Sequence, residues 1–191
     1  MKALGLHNDV RLSDRFFWQS TTGWMVWNYA VSALVLGATM VCSDGNPSHP
    51  DSSALWRLVA DQQITYFGTS AGHLHASAED ELGPADDLDL GRLRGIGSTG
   101  SPLSADGFRW VHAAFGPGVL LTSVSGGTDI CSAFVGGSVL SPVRAGEISA
   151  PTLGSHVVAL DEAGEQVVDG FGELLGARAD AVDAGRLVGR C

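Results

Sequence analysis

The segment 125–131, SGGTDIC, combines residue types that could bind a phosphate group and its metal ion. Gly126 and Gly127 are followed directly by the hydroxyl of Thr128 and the carboxylate of Asp129. Glycines let the backbone approach a ligand closely, and oxygen atoms of these two kinds suit Mg²⁺ bound to phosphate. The same composition is also typical of an ordinary strand-ending turn. Taken alone, these residues favour the turn.

Two other loops carry small and hydroxyl-bearing residues directly after predicted strands, at 21–24 (TTGW) and at 98–102 (STGSP). In open parallel sheets, ligands bind at the carboxyl ends of the strands. We therefore expect these two loops and the 126–129 segment to open toward one edge of a sheet. Gly, Ser and Thr accumulate in such loops anyway, so the three loops together carry more weight than any one of them.

The elements that would position these loops alternate between strand and helix over the first 131 residues. Short apolar runs predict strands near 14–20, 39–42, 64–67, 93–98 and 119–122. A dense apolar run predicts a helix from Trp24 to Leu36 that is buried on most of its circumference and ends at Gly37. Ser104 is the predicted N-cap of a later helix. This alternation predicts an α/β fold with a largely parallel sheet flanked by helices.

After residue 131 the pattern becomes β-rich. We predict β structure at 134–135, 146–148 and 156–161, with a hairpin turn at 161–165. The chain is therefore divided into an α/β portion at residues 1–131, a β-rich portion of the same domain at 132–175, and a divergent tail at 176–191. The tail has little periodic apolar content, which predicts a frayed helix or disorder.

Composition narrows the range of partners. The formal net charge of −10 argues against a nucleic acid or an anionic membrane as partner. It does not exclude nucleotide binding, which uses local backbone amides and a metal ion. The three cysteines are far apart, which fits a reducing, cytoplasmic setting. The sequence shows no signal peptide, and no apolar run is long enough to span a bilayer, so we expect a soluble protein.

Other catalytic motifs are absent. The sequence has no Gly-x-Ser-x-Gly nucleophile elbow, no glycine-lysine phosphate loop and no Gly-x-Gly-x-x-Gly after its first strand. The six histidines do not cluster; His73 and His75 are two positions apart and would not share a helix face. Cys131 could act as a nucleophile, but a small buried residue is the preferred interpretation.

Four blocks of sequence together resemble the adenylate-forming acyl-CoA synthetases. They lie at residues 16–28, 97–104, 125–134 and 172–174, within a match from about Leu6 to about Leu175. The resemblance implies that the chain is part of the large N-terminal domain of such an enzyme. It also implies the reaction: a carboxylic acid and ATP form an acyl-adenylate and pyrophosphate, and the acyl group then passes to coenzyme A. Acetoacetate is the acid implied by the nearest branch of the family.

The resemblance assigns roles to particular residues. Thr128 would contact the adenylate phosphate, and Asp129 stands where most relatives have a glutamate that helps to hold Mg²⁺. Gly126 occupies the place of a tryptophan that closes the pocket of acetyl-specific relatives, so its missing side chain would leave room for a longer acid. The implied nucleotide-binding residues are Gly100, Ser101, Pro102, Gly126, Gly127, Thr128 and Asp129. The implied acyl-pocket residues are Trp24, Met25, Val26, Thr99 and Gly126.

The chain also departs from the family pattern. It begins downstream of the family's lysine-containing phosphate loop and ends before its ribose-binding aspartate and its C-terminal domain with the catalytic lysine. We therefore expect a truncated central fragment of an ATP-dependent acid–CoA ligase, with little or no activity by itself. The alternative is a non-catalytic remnant, or one piece of a split enzyme, that associates with a complementary chain. A thioesterase or hydrolase is the third possibility and the least favoured, because the sequence contains no nucleophile motif.

Overall fold

A computed structural model of the chain describes residues 1–80, 82, 88–167 and the backbone of 173–178. Residues 81, 83–87, 168–172 and, in the predicted tail, 179–191 lie outside the described residues. Residues 176–178 form the end of a strand. Within the described ranges, no helix is both long and apolar enough to cross a membrane.

A five-stranded parallel sheet forms the centre of the molecule, with the strand order β2-β1-β3-β4-β5. The strands are β1 Arg15–Trp18, β2 Thr39–Met40, β3 Tyr66–Ser70, β4 Gly95–Thr99 and β5 Leu120–Ser123. The predicted α/β fold with a largely parallel sheet is thus confirmed. The strand order reverses between β1 and β3, and in folds of this kind the crevice at such a reversal is where ligands bind.

Helices cover both faces of the sheet. They are a π-helix at Lys2–His7, α1 Met25–Val31, a 3-10 helix at Ser32–Leu36, α2 Ala54–Asp61, α3 Ala71–Glu79 and α4 Ala105–Phe115. Successive strand residues point to opposite faces, so Phe16 and Phe17 belong to different cores. Phe16 packs with Tyr66 and Val26 on one face. Phe17 packs with Phe67 and residues of α2, α3 and α4 on the other.

The segment 24–36 differs from the single buried helix that its apolar content predicted. The hydroxyl of Ser32 donates to the carbonyl oxygen of Tyr29 at 2.6 Å, a bond that competes with the regular helical ladder. The chain tightens there into the 3-10 helix, whose Leu34 and Val35 are 54% and 64% exposed. The prediction of burial around most of the circumference was therefore wrong. The predicted end at Gly37 is confirmed, with φ 76°.

Two small antiparallel sheets follow the parallel sheet, which confirms the β-rich portion. One contains β6 Ser125–Gly127, β7 Ser132–Gly136 and β8 Ala150–Pro151; the other contains β9 Ser155–Leu160, β10 Gln166–Val167 and β11 Glu173–Arg178. The hairpin turn at 161–165 is confirmed by the bond from Asp161 N to Glu165 O at 2.9 Å. The strand predicted at 146–148 was wrong, because Gly146 has φ 83° and lies in a turn.

His7 joins the N-terminal π-helix to the β-rich portion. Its Nε2 atom accepts a hydrogen bond from Leu153 N at 3.0 Å, so Nδ1 carries the proton and donates to Gly137 O at 2.8 Å. The side chain is buried. Both ring nitrogens are therefore occupied in holding together segments that lie far apart in the sequence, and His7 has a structural role.

Candidate functional site

A cavity of about 540 Å³ lies at the carboxyl ends of β1, β4 and β5. This volume is in the range of small-molecule and cofactor sites. Its wall combines the loop after β1, the loop after β4 and the segment after β5. These are the three loops that the sequence predicted to open toward one edge of the sheet. The cavity also lies where ligands bind in open parallel sheets.

The structure brings together every proposed site residue except one. Those lining the cavity are Trp24, Met25, Val26, Thr99, Gly100, Ser101, Pro102, Gly126, Gly127 and Thr128. Asp129, the proposed magnesium ligand, does not line it, although it follows Thr128 directly and is exposed.

Hydrogen bonds fix the loop after β4 against the neighbouring strand. The hydroxyl of Thr99 donates to Val124 O at 3.0 Å, and Val124 N donates to Ser98 O at 2.9 Å. Gly100 then turns the chain with φ 89°, a left-handed conformation that favours glycine. Because the Thr99 hydroxyl is already bonded to a carbonyl, its contribution to the cavity wall is largely steric.

α4 begins directly after this loop, and Ser104 is its N-cap. The hydroxyl of Ser104 accepts a hydrogen bond from Gly107 N at 3.1 Å, which confirms the predicted cap. Ser104 N also donates to His75 Nε2 at 3.2 Å. The start of α4, and with it the end of the loop, is thereby held on α3.

The glycine-containing segment is one strand of a β-hairpin. Gly126 and Gly127 lie in β6, and the turn runs from Thr128 to Cys131, closed by a bond from Cys131 N to Thr128 O at 3.0 Å. The predicted strand-ending turn and the predicted ligand loop are therefore neighbouring parts of one hairpin. Cys131 was predicted to be buried, which was wrong. It is exposed, because it closes the turn with φ 47°, where the described structure packs nothing over it.

Gly126 is required by the pairing of β6 with β7. A Cβ atom at this position would lie 2.1 Å from Ser132 O and 2.7 Å from Ala133 Cα. These are backbone atoms beside a β-bulge, so any side chain would displace the neighbouring strand. This close approach explains the glycine without reference to a ligand, and the effect of Gly126 on the width of the acyl pocket stays a prediction.

The family follows from comparison with known proteins. The profile described as "AMP-binding enzyme" matches residues 2–180.

The chain belongs to the AMP-binding enzyme family.

Two relatives are acetoacetyl-CoA synthetases. The chain is 42% identical over 179 residues to the acetoacetyl-coenzyme A synthetase of Rhizobium meliloti (strain 1021), covering 94% of this chain and 28% of the relative. It is 44% identical over 170 residues to the acetoacetyl-CoA synthetase of Mus musculus, covering 89% of this chain and 25% of the relative. The chain thus spans about a quarter of the length of these curated relatives.

Solved structures of AMP-binding enzymes share the fold. The acetoacetyl-CoA synthetase from Streptomyces lividans superposes with a TM-score of 0.85 at 46% identity, covering 93% of this chain and 28% of that one. The anthranilate CoA ligase AuaEII, in complex with anthranoyl-AMP, superposes with a TM-score of 0.80 at 20% identity and shows the fold alone. The resemblance to acyl-CoA synthetases that the sequence indicated is confirmed.

Several residues of the cavity wall were not predicted from the sequence. They include Trp18, Tyr29, Phe108, Ser123 and Glu147. Trp18 and Ser123 each end a strand whose following loop was singled out, so their position next to those loops could have revealed them. Glu147 comes from the segment wrongly predicted as a strand, and no sequence signal connected it with the other loops.

The phenol of Tyr29 stays neutral in the folded chain. Tyr29 lines the cavity, and its hydroxyl accepts a hydrogen bond from Asn8 Nδ2 at 2.8 Å. Burial holds the pKa of Tyr29 well above its ordinary value, and the nearby Tyr66 adds to this effect. The side chain therefore contributes a neutral surface beside the edge-on indole of Trp18.

The described residues contain no group of three or more His, Cys, Asp or Glu side chains that could enclose a metal ion. Mg²⁺ is commonly bound by one or two carboxylates together with water and the phosphates of a substrate. The exposed carboxylate of Asp129, next to Thr128 at the cavity, fits that mode of binding.

Proposed function

We propose that this chain forms the acyl- and adenylate-binding part of an AMP-forming acid–CoA ligase, with acetoacetate as the acid. One observation carries the proposal: all the residues assigned to the nucleotide and the acid, except Asp129, line a single cavity at the carboxyl edge of the sheet. The names of its relatives, acetoacetyl-CoA synthetases at 42% and 44% identity, support acetoacetate as the acid.

The proposed reaction has two steps. A carboxylate oxygen of the acid attacks the α-phosphorus of ATP, which forms the acyl-adenylate and releases pyrophosphate. The thiol of coenzyme A then attacks the acyl carbon, which forms the thioester and releases AMP. In this scheme, Gly100, Ser101 and Pro102 pack along the adenine and ribose, and the hydroxyl of Thr128 donates to the phosphate.

The acyl chain is proposed to lie against Trp24, Met25, Val26, Thr99 and Gly126. The first three are apolar, and the hydroxyl of Thr99 is taken up by Val124 O. A largely apolar wall suits the short carbon chain of the acid. It also offers no polar group that could bind the carboxylate of the acid, so the carboxylate stays available to attack the nucleotide.

For the metal, we propose that Asp129 supplies one carboxylate ligand to Mg²⁺ and that the nucleotide phosphates supply others. The bound ion would neutralise charge that develops on the phosphates as the adenylyl group is transferred to the acid. The role of Asp129 is then to hold the positive charge of Mg²⁺ beside Thr128.

A cytoplasmic setting is part of the proposal. Among the described residues, Cys42 and Cys131 are free and exposed, and exposed thiols of this kind suit a reducing compartment.

Calorimetric titration of the chain with AMP tests the proposed site. We expect Thr128→Ala to weaken AMP binding about tenfold, because a hydrogen bond to a charged phosphate is lost. Thr39→Ala is the matched control, since Thr39 is exposed in the edge strand β2 and does not line the cavity. Equal AMP affinity in the wild type and the Thr128 variant would contradict the assignment.

We propose further that a complementary polypeptide, equivalent to the part of its relatives that this chain does not span, packs on an exposed apolar surface. Leu12, Leu34 and Val35 form this surface and are 75%, 54% and 64% exposed. Leu12 lies against Gly37, directly after the 3-10 helix that carries the other two. Apolar patches of this kind favour association. Sedimentation of the chain mixed with the remaining segments of an acetoacetyl-CoA synthetase should show less complex formation in a Leu34→Ser, Val35→Ser variant; an unchanged amount of complex would argue against the surface.

A further inference from the structure

Glu147 is the one charged side chain among the described residues that line the cavity. A carboxylate repels the phosphates of a nucleotide, so this residue does not belong with the phosphate-binding groups unless a metal ion lies between them. Its chemistry suits a different part of the ligand, one that carries hydrogen-bond donors, because an ionised carboxylate only accepts hydrogen bonds.

The fold places the turn that contains Glu147 against the start of α4, which follows the loop assigned to the nucleotide base. A Cβ atom on its neighbour Gly146 would lie 3.3 Å from the Cβ atom of Ala105, the first residue of α4. Ala105 follows the 100–102 loop by three positions, and residues 100–103 and 146–148 line the same cavity. The turn containing Glu147 therefore packs against the first residue of α4, three positions after the loop that the proposed function places along the adenine.

The turn holds the backbone of Glu147 while leaving its carboxylate available. Glu147 N donates to Arg144 O at 3.2 Å, and Gly146 has φ 83°. The ion pair from Arg144 Nη1 to Glu147 Oε2 measures 3.7 Å, with side chains 70% and 61% exposed. Exposed pairs of this length hold a side chain only weakly, so the carboxylate oxygens can accept hydrogen bonds from a ligand.

Building on the proposed nucleotide site, we propose that Glu147 selects the base: its carboxylate accepts a hydrogen bond from the 6-amino group of adenine. Adenine presents an amino donor at this position, whereas guanine presents an oxygen acceptor. Hypoxanthine, the base of IMP, also has an oxygen there. An acceptor-only side chain attracts the amino group and repels the oxygen, so the residue would favour adenine nucleotides over 6-oxopurine nucleotides.

The test compares AMP with IMP, which differ in the substituent at this position. Dissociation constants are measured by calorimetry on the 191-residue chain without Mg²⁺, so that a role through a metal ion cannot contribute. We expect the wild type to prefer AMP about tenfold. Glu147→Ala should weaken AMP binding to about the level of IMP and leave IMP binding no weaker. Glu147→Gln should reduce the preference for AMP over IMP mainly by improving IMP binding, because an amide can also donate a hydrogen bond to the 6-oxo group.

Glu162→Ala is the matched control. Glu162 is an exposed glutamate in the 161–165 hairpin turn, outside the cavity wall, and its removal should leave both affinities unchanged. If Glu147→Ala leaves the ratio of AMP to IMP affinity unchanged, the proposed role of Glu147 is wrong. If AMP binding still depends on Thr128 in that experiment, the proposed function is not affected. Equal weakening of AMP and IMP also overturns it. A wild-type chain that binds neither nucleotide overturns the proposed function together with this inference.

Discussion

At the scale of single residues, two glycines make room for the aromatic side chain that lines the inner wall of the cavity. Trp18 pairs with Gly68 in β3, and Gly68 pairs with Gly97 in β4. A Cβ atom on Gly68 would lie 1.9 Å from Trp18 Cδ2, and one on Gly97 would lie 2.6 Å from Trp18 Cη2. The indole therefore lies across both strands only because neither position has a side chain.

Replacing Gly97 tests this arrangement. Gly97→Ala should lower the free energy of unfolding by about 1–3 kcal/mol, because the added methyl group overpacks the contact with Trp18. Gly118→Ala is the matched control, since a Cβ atom there has no neighbour within 4 Å. Urea unfolding of both variants measures the difference. Equal stability of the two would show that the indole moves without cost.

A second residue-scale feature is the ionic cluster around Asp14. Burial would raise the pKa of Asp14, but hydrogen bonds from Arg94, from the backbone N–H of Arg11 and from Thr65 outweigh that effect and hold it below the usual value. Arg94 also pairs with Asp9 at 3.1 Å. The ionised form of Asp14 is thus favoured in the folded chain.

The cluster predicts a pH dependence of stability. Because the pKa of Asp14 is lower in the folded state than the unfolded value of about 3.9, its contribution is fully present above about pH 4 and is lost as the pH falls through the folded pKa. Asp14→Asn should cost about 2 kcal/mol at neutral pH and flatten this acid dependence. Asp106→Asn is the control, because Asp106 is 92% exposed in its pair with Arg109. An unchanged acid unfolding curve in Asp14→Asn would contradict the account.

At the scale of elements, the unit of β4, its following loop and α4 connects the fold to the site. β4 lies inside the parallel sheet, its loop lines the cavity, and α4 packs against the sheet through Phe108 and Val111. Ser104 fixes the point at which the loop becomes a helix. The position of the loop therefore depends on the cap as well as on the strand.

Removing this cap should affect both stability and binding. Ser104→Ala should cost about 1 kcal/mol of unfolding free energy, because the amide of Gly107 loses its partner. It should also weaken AMP binding, since the loop before α4 is less firmly held. Ser53 offers the comparison: it is the N-cap residue of α2, but its side chain makes no capping hydrogen bond, so Ser53→Ala should cost less. Thermal unfolding and AMP titration measure the two effects, and an equal cost for both serines would contradict the prediction.

At the scale of the whole molecule, the cavity can hold a ligand but offers little charge for catalysis. No lysine or arginine lines it among the described residues. Lys2, the single lysine in the sequence, is bonded to the carbonyl oxygen of Leu153. Transfer of an adenylyl group, like other displacements at phosphorus, depends on cations that stabilise the developing charge. We therefore expect this chain to bind a nucleotide without catalysing the reaction.

The 191-residue chain should bind AMP but release little or no pyrophosphate from ATP in the presence of acetoacetate and coenzyme A. A coupled pyrophosphate assay measures this, with a full-length acetoacetyl-CoA synthetase as the positive control. Release at the rate of the full-length enzyme would refute the prediction.

The sequence by itself determined the features that depend on local patterns. Strand and helix alternation indicated the parallel sheet, Ser104 and Gly37 marked helix ends, and three loops after strands marked the edge where the cavity lies. Only the tertiary structure decided which surfaces are covered, because burial depends on segments distant in the chain. It exposed Leu34, Val35 and Cys131, assigned Gly126 to strand pairing, and brought the turn that contains Glu147 against the start of α4. Local periodicity carries no information about such long-range contacts, so these residues could not be placed until the chain was folded.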